Sequence, residues 1–470
     1  MGKFKLRTAA LSLMSFMIVV SGVFSMGTPA QAGYSTDVEN VLLVDGDTGK
    51  LLYASDIDEV LPPASMTKMM SEYLILEAVN NGEISWDQEV PISDFLHELS
   101  GNGSLSNVPL TTTGSYTVEE LYESVAIYSA NASTMALAEL IAGSEGEFVR
   151  MMNEKGKEIG MGEVLREAGE EYSITDLQEL ADRGIGDFQF VNSTGLPNSL
   201  LNGQHPEGTE ADDDNYMSAR ATATLAYHLI NDYPEVLETA QVPFKTFQPE
   251  GASTNMQNWN WMLPGTQYEI VDYEYVDGLK TGFTNAAGYT FTGTAEKDGQ
   301  RLISVIMGAD SELHRFEETQ RIMEWGFNNF SSSEVFPEGL TLEGNETIPV
   351  TQGEESEVAV STAEAVNLVV RNGQEDSYTY EVEWDESLLD DEGRLIAPVE
   401  AGNAVGTMYV LSEGEDAGYL QGEGEEYTQV PVIANESVER AGWFTLMFRN
   451  IGGFFSGVWT SVSDTVTGWL

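Results

Sequence analysis

Three short clusters of polar residues in this sequence could do chemistry together. In Ser65-Met66-Thr67-Lys68, a spacing of three puts a hydroxyl and an amine on one helix face, one turn apart. A serine hydroxyl needs a group to take its proton, and a desolvated lysine with a lowered pKa can do so. In Ser129-Ala130-Asn131, a second hydroxyl could relay a proton to a leaving amine, while the asparagine amide both donates to and accepts from a peptide bond. In Lys280-Thr281-Gly282, ammonium and hydroxyl can hold a carboxylate, and the glycine lets a ligand approach the backbone closely. Taken singly, each has a plainer reading as a helix cap, a solvated lysine or a turn. Together they point to a serine nucleophile with a base, a relay and an anion anchor. Only seven lysines follow residue 32, and two of them complete these clusters in an acidic chain, where a retained cation needs a reason.

The surrounding pattern says which elements must hold these residues. An apolar helical run over 66–79 places Ser65 in a first turn, where backbone N–H groups point outward and the helix dipole favours negative charge. Ser129 falls between a helical run over 118–128 and a small-residue helix beginning at Ala132. Residues 275–283 read as an edge strand. Residues 289–295 and 301–307 are β-rich runs around an Asp298-Gly299 turn, which is a hairpin signal. Residues 314–330 return to helical spacing, with Phe316, Met323 and Phe327 on one side. The fold class expected is α/β (α+β), an antiparallel sheet covered by helices.

Serine, lysine and glycine clusters in this order resemble the signature of the serine penicillin-recognising enzymes, Ser-x-x-Lys, Ser-x-Asn and Lys-Thr-Gly, with 64 and 151 residues between motif starts. The stretch Phe190-Val191-Asn192-Ser193-Thr194-Gly195-Leu196-Pro197, then Met217-Ser218-Ala219-Arg220, together with residues 41–53 and 62–68, is similar to the low-molecular-mass D-alanyl-D-alanine carboxypeptidases of peptidase family S11. The resemblance covers residues 39–330. It implies a penicillin-binding/β-lactamase-like transpeptidase fold and an acyl-enzyme on Ser65, with Lys68 as base and Ser129 as relay. It further implies Asn131, Lys280, Thr281, Gly282 and Phe283 as substrate-binding residues, the backbone N–H groups of Ser65 and Phe283 forming the oxyanion hole. Arg315 corresponds to a family arginine near the site, or forms a surface ion pair. Peptidoglycan stem peptides ending in D-Ala-D-Ala would be the substrates and β-lactams covalent inhibitors, with no cofactor. Two departures stand out: an acidic insertion over 162–187, and Ala130 where many members have glycine.

Composition bounds the rest. Against 77 acidic residues there are 21 basic ones, a formal net charge of −56 over 470 residues, which excludes nucleic acid as a partner. Lys3, Lys5 and Arg7, an apolar run over 9–24 and an Ala30-Gln31-Ala32 site read as a signal peptide spanning 1–32. Subtracting its three basic residues takes the mature chain to −59. Salt screens self-repulsion on that scale, so a salt-rich extracytoplasmic setting is expected. Cysteine is absent, so no disulfide contributes. The expected domains are the signal peptide, a catalytic domain over 33–330, a small lysine-free β domain over 331–435 with alternating runs such as Tyr378, Tyr380, Val382 and Trp384, and an amphipathic segment over 436–470. That last segment carries Trp443, Met447, Ile451, Phe454 and Val458 at helical spacing and a net charge of −1, which suits a helix lying in a membrane surface.

Two rival readings share part of this evidence. A class A β-lactamase has the same three motifs but also a Glu-x-x-Leu-Asn element between the second and third, which is missing here. A non-catalytic cell-wall-binding protein would not need every catalytic side chain. The four histidines, His97, His205, His228 and His314, lack metal-ligand spacing.

Overall fold

The computed structural model describes residues 33–162, 187–248, 253–266, 273–413, 418–422 and 424–443. The chain divides into two compact units, Met1–Asp37 and Val38–Leu470, and everything below belongs to the second.

An antiparallel sheet of five strands organises the first part of that unit: β1 (Asn40–Asp45), β2 (Leu51–Ser55), β3 (Val276–Thr284), β4 (Gly288–Lys297) and β5 (Gln300–Ala309), in the order β2-β1-β5-β4-β3. The hairpin expected at Asp298-Gly299 joins β4 to β5, with Lys297 opposite Gln300. Both residues of that turn have positive φ, 54° and 82°, which an Asp-Gly pair tolerates. The Lys280 strand is β3, at the sheet edge as expected.

Both faces of this sheet are covered, so β1 is buried along its whole length. Successive residues point to opposite faces. Leu42, Val44, Ile303, Val305 and Met307 join a core cluster with helices α1 (Lys68–Asn80), α2 (Val118–Tyr128), α3 (Asn131–Ala142) and α4 (Glu145–Glu158), and with α5 (Ala219–Asp232). Leu43 and Leu302 face the other way, against Gly326 of α6 (Glu312–Asn329), where a Cβ would come within 2.7 Å of Leu43. Phe316 and Met323 of α6 are fully buried, as their spacing predicts, and Phe327 is half-buried.

The central element is α1. Met69, Met70, Leu74, Ile75 and Leu76 bury it on every side, as expected of a helix that is apolar all round. A 3₁₀ turn, Ala64–Thr67, leads into it and carries Ser65. α2 opens on a capping box, with Thr117 and Glu120 exchanging side-chain-to-backbone hydrogen bonds.

Beyond α6 the chain forms a six-stranded sheet in the order Tyr378–Trp384, Ala404–Ser412, Gln429–Ala434, Glu357–Thr362, Thr347–Thr351, Leu395–Ile396, with a two-stranded ribbon of Phe330–Phe336 and Val366–Arg371. Its core is largely valine. Residues just past the boundary expected at 435 still belong to it: Val438 bridges Val399, and Arg440 bridges Gly353. Backbone pairing, not amphipathic helix, governs them. The signal peptide expected over 1–32, residues 163–186 of the acidic insertion and the tail from 444 onward lie outside the described residues.

Candidate active site

Ser65 sits where two unusual backbone segments meet. Ala64 before it has φ +50°, which swings the 3₁₀ turn towards β3. There Gly282 lies so close that a Cβ would fall 2.6 Å from the Pro63 carbonyl and 2.4 Å from Thr290 Oγ1. The glycine expected to admit a ligand therefore also admits the protein's own nucleophile-bearing turn.

From the opposite side comes the 190–198 segment. Asn192 Oδ1 accepts from the N–H groups of Thr194 and Gly195 at 3.0 and 2.8 Å, and its Nδ2 donates to Leu196 O at 2.7 Å. This tight knot turns the Thr194 carbonyl towards α1. Lys68 Nζ donates to that carbonyl at 2.7 Å, to Asn131 Oδ1 at 2.8 Å, and lies 3.2 Å from Ser65 Oγ. Thus the first two clusters, 63 residues apart at Lys68 and Asn131, meet in one buried contact.

Ser129 caps α2 in the left-handed region, φ +60° and ψ +36°, and this reversal lets the chain start α3 two residues later. Ala130 is completely buried in the turn, a place for a small side chain. Asn131 is braced by Ser106, whose carbonyl accepts from both its backbone N–H and its Nδ2, each at 3.0 Å. Lys280 Nζ donates to Ser129 Oγ at 3.0 Å and to Thr281 O at 3.1 Å, joining the second cluster to the third.

These residues surround a cleft of about 350 Å³, lined by Ser65, Ser129, Asn131, Thr281, Gly282 and Phe283. Lys68 and Lys280 form its buried floor, at 0 % and 3 % exposure. All eight residues expected from the sequence are therefore in one place. Phe283 is half exposed on the rim and packs on Tyr289, ring centroids 4.4 Å apart.

Electrostatics at the floor follow from burial. Desolvation, reinforced by the charge of Lys280, holds the Lys68 amine well below the ordinary lysine range. Lys280 is pulled down to about 8, first by burial and then by Arg315, with Glu72 acting the other way. Arg315 is not a surface ion pair: it is 2 % exposed and donates to Gly282 O at 2.9 Å. Burial brings it to about 10, so it remains cationic at neutral pH.

Sequence reasoning passed over several participants. The Thr194 carbonyl carries no side-chain signal. Glu72, four residues beyond Lys68 in an apolar run, was visible as a polar intrusion. Trp259, Leu105 and Glu312 line the cleft from segments with no motif.

A family model for the D-alanyl-D-alanine carboxypeptidases matches residues 27–167 and 174–311, well over half of the chain. The chain belongs to the D-alanyl-D-alanine carboxypeptidase family. It is a hydrolase of the serine carboxypeptidase type. A second model, the C-terminal domain of penicillin-binding protein 5, matches residues 330–440, the part a β-lactamase reading leaves unexplained. D-alanyl-D-alanine carboxypeptidase DacF of Bacillus subtilis is 27% identical over 416 residues, 88% of this chain and 90% of that protein. DacC of Escherichia coli is 28% identical over 444 residues, 93% and 90% of the two chains. Among solved structures, a peptidoglycan synthesis regulatory factor, PBP3, from Streptococcus pneumoniae has a TM-score of 0.63 and 32% identity, covering 86% of this chain and all of that one.

Proposed function

We propose that this carboxypeptidase removes the terminal D-alanine from peptidoglycan stem peptides outside the cell membrane, through an acyl-enzyme on Ser65. One observation carries the reading: Lys68 Nζ has two carbonyl acceptors, Thr194 O and Asn131 Oδ1, beside Ser65 Oγ. A neutral amine has two N–H bonds and one lone pair. With both N–H bonds directed to those acceptors, the lone pair is left for the proton of Ser65, and the lowered basicity from burial keeps the amine neutral enough to take it.

Ser65 Oγ then attacks the carbonyl of the penultimate D-alanine. The backbone N–H groups of Ser65 and Phe283 would hold the oxyanion, and losing one such donor typically costs about 2.7–4 kcal/mol of transition-state stabilisation. Lys280 and Thr281 bind the substrate's terminal carboxylate, with Arg315 behind them. Asn131 orients the peptide. Ser129, in contact with Lys280, passes its proton to the departing amine and is reprotonated by the proton that Lys68 took from Ser65, which returns Lys68 to the neutral amine. The acyl-enzyme is hydrolysed by water, and a β-lactam would acylate the same oxygen.

Location follows from features outside the described residues: the 1–32 leader exports the chain and the aromatic tail lies in the membrane surface. No helix among the described residues is long and apolar enough to cross a membrane. The acidic surface suits a salt-rich exterior. Release of D-alanine from a diacylated D-Ala-D-Ala peptide, followed across a salt series, tests these points together. Wild type should release D-alanine, bind fluorescent penicillin covalently and work best in high salt; Ser65→Ala should do neither reaction. Absence of release and labelling in the wild type would refute the enzymatic reading, and a rate that falls steadily with salt would refute the salt-rich setting.

A further inference from the structure

The turn that bears Ser65 is held by a side chain with no part in the mechanism above. Asn215 is fully buried just before the short strand Tyr216–Met217, which pairs with Phe188–Gln189 and bridges Leu61. Its Oδ1 accepts from the N–H groups of Val191 and Asn192 at 2.6 and 3.0 Å. Its Nδ2 donates to Asn192 O at 2.9 Å and to Thr67 Oγ1 at 3.0 Å. A carboxamide has two lone pairs on oxygen and two N–H bonds, so the whole hydrogen-bonding capacity of this side chain is engaged.

Those four bonds reach both members of the catalytic pair. Thr67 lies in the 3₁₀ turn, between Ser65 and Lys68, and is itself fully buried. Asn192, gripped at its N–H and its carbonyl, is the residue whose side chain binds Thr194 and Gly195 and so turns Thr194 O towards Lys68. One amide therefore steadies the turn that carries the nucleophile and, through Asn192, the carbonyl that orients the base. The carboxylate anchors, Lys280 and Thr281, stand on a different element, β3. Loss of Asn215 disturbs the reacting pair and leaves the anchors in place.

We infer that Asn215 is a positioning residue that fixes Ser65 Oγ against Lys68 Nζ, 3.2 Å apart, and so governs the rate of acylation and not the affinity for the ligand. The inference rests on Ser65 being the nucleophile and Lys68 its base. Asn153 of α4 is a matched comparison. Its Oδ1 accepts from the Phe190 N–H at 3.0 Å, and its Nδ2 donates to Phe190 O at 2.8 Å and to Val149 O at 3.0 Å. It grips the same segment by the same kind of bonds, two residues before Asn192, and these bonds end on the segment and on α4, away from the turn.

The test follows penicillin acylation over a range of concentrations, which separates the limiting rate from the half-saturating concentration, in wild type, Asn215→Ala, Asn153→Ala, Thr67→Val and Thr67→Ser. Asn215→Ala should lower the limiting rate about 100-fold, the usual effect of displacing a reacting group by about 1 Å, with half-saturation unchanged. Its kcat/KM for D-alanine release should fall in parallel. Thr67→Val removes one acceptor on the turn and should cost about tenfold, while Thr67→Ser keeps the hydroxyl and should stay close to wild type. Asn153→Ala should lower the melting temperature and keep the wild-type limiting rate. If Asn215→Ala does not fold, the Thr67 pair carries the test, and equal rates for Val and Ser would overturn the role. A wild type that penicillin does not acylate would overturn the nucleophile and this role with it. Normal acylation of wild type, with an equal limiting rate in Asn215→Ala, an equal loss in Asn153→Ala or a loss confined to half-saturation, would overturn the role of Asn215 alone.

Discussion

Gly195 offers a sharp test of how the nucleophile is held. Its φ is +76°, and a Cβ there would fall 1.8 Å from the Ala64 carbonyl oxygen and 2.8 Å from Thr67 Oγ1. Both partners belong to the 3₁₀ turn that bears Ser65, and the nearer is backbone, which cannot rotate away. Ordinary contact begins at 3.4 Å, so Gly195→Ala requires one segment to yield by about 1.6 Å. The left-handed conformation itself costs an alanine about 1–2 kcal/mol. The displacement matters more, because a shift of about 1 Å in a reacting group typically costs about 10²-fold in rate, or about 2.7 kcal/mol. Gly203 is the control: its φ is +77°, and a Cβ there meets nothing within 4 Å. Gly195→Ala should therefore lower both kcat/KM for D-alanine release and the rate of penicillin acylation by about 100-fold. Gly203→Ala should lose only about 1 kcal/mol of stability and keep wild-type rates. Equal rates for Gly195→Ala and Gly203→Ala would show that the 190–198 segment does not position Ser65.

Glu145 of α4 accepts from the Ser193 N–H at 2.7 Å and from its hydroxyl at 3.0 Å, and burial raises its pKa to about 7. A raised folded-state pKa means that this contribution to stability is full below the ordinary carboxylate value and is lost as pH rises through 7. Glu145→Gln keeps one of the two acceptor oxygens for Ser193 and removes the titration, so its melting temperature relative to that of wild type should rise from pH 5 to pH 8; a constant difference contradicts the burial argument. Deleting residues 444–470 should move the enzyme from membrane to soluble fraction with kcat/KM unchanged, and undiminished membrane association would exclude the tail as the attachment.

What could be read from the sequence was what side-chain type and spacing encode. The Asp298-Gly299 hairpin, the edge strand of Lys280 and the helix that follows Ser65 all follow from local pattern, whereas the set of eight cleft residues, Phe283 above all, came from the conjunction of the three motifs and the family resemblance they carry. Hidden from that reading was which backbone carbonyls and close approaches hold the site together. Lys68 is oriented by the carbonyl of Thr194, and a carbonyl is present at every position. The real purpose of Gly195 appears only when Ala64, 131 positions earlier, is packed against it. Arg315 looked as much like a surface ion pair as a site residue because burial is a property of the tertiary fold. Glu72 was obscured by its setting: an acid in an apolar run reads as a position facing water, as Glu77 on the same helix partly does, whereas Glu72 is 3 % exposed.

Charge at the cleft and charge on the chain have opposite signs, and the two serve different ends. Most described cations outside the site are committed to local carboxylates: Lys155 to Glu77 and Glu158, Arg301 to Asp277 and Glu296, Arg220 to Asp58, Lys245 to Glu123. Their fields are neutralised where they stand, leaving a surface that repels anions at long range. A substrate with a terminal carboxylate must cross that field. In salt the Debye length is about 10 Å at 0.1 M and shorter above it, so the distant acids fade before the carboxylate reaches the cleft. Inside, solvent screening is weak, so the buried cations Lys280 and Arg315 are felt at close range, while burial disfavours the charged form of Lys68. An anion anchor can thus function within a chain of net charge −56, provided that its cations are buried and the surplus acids are exposed, which is how this fold distributes them.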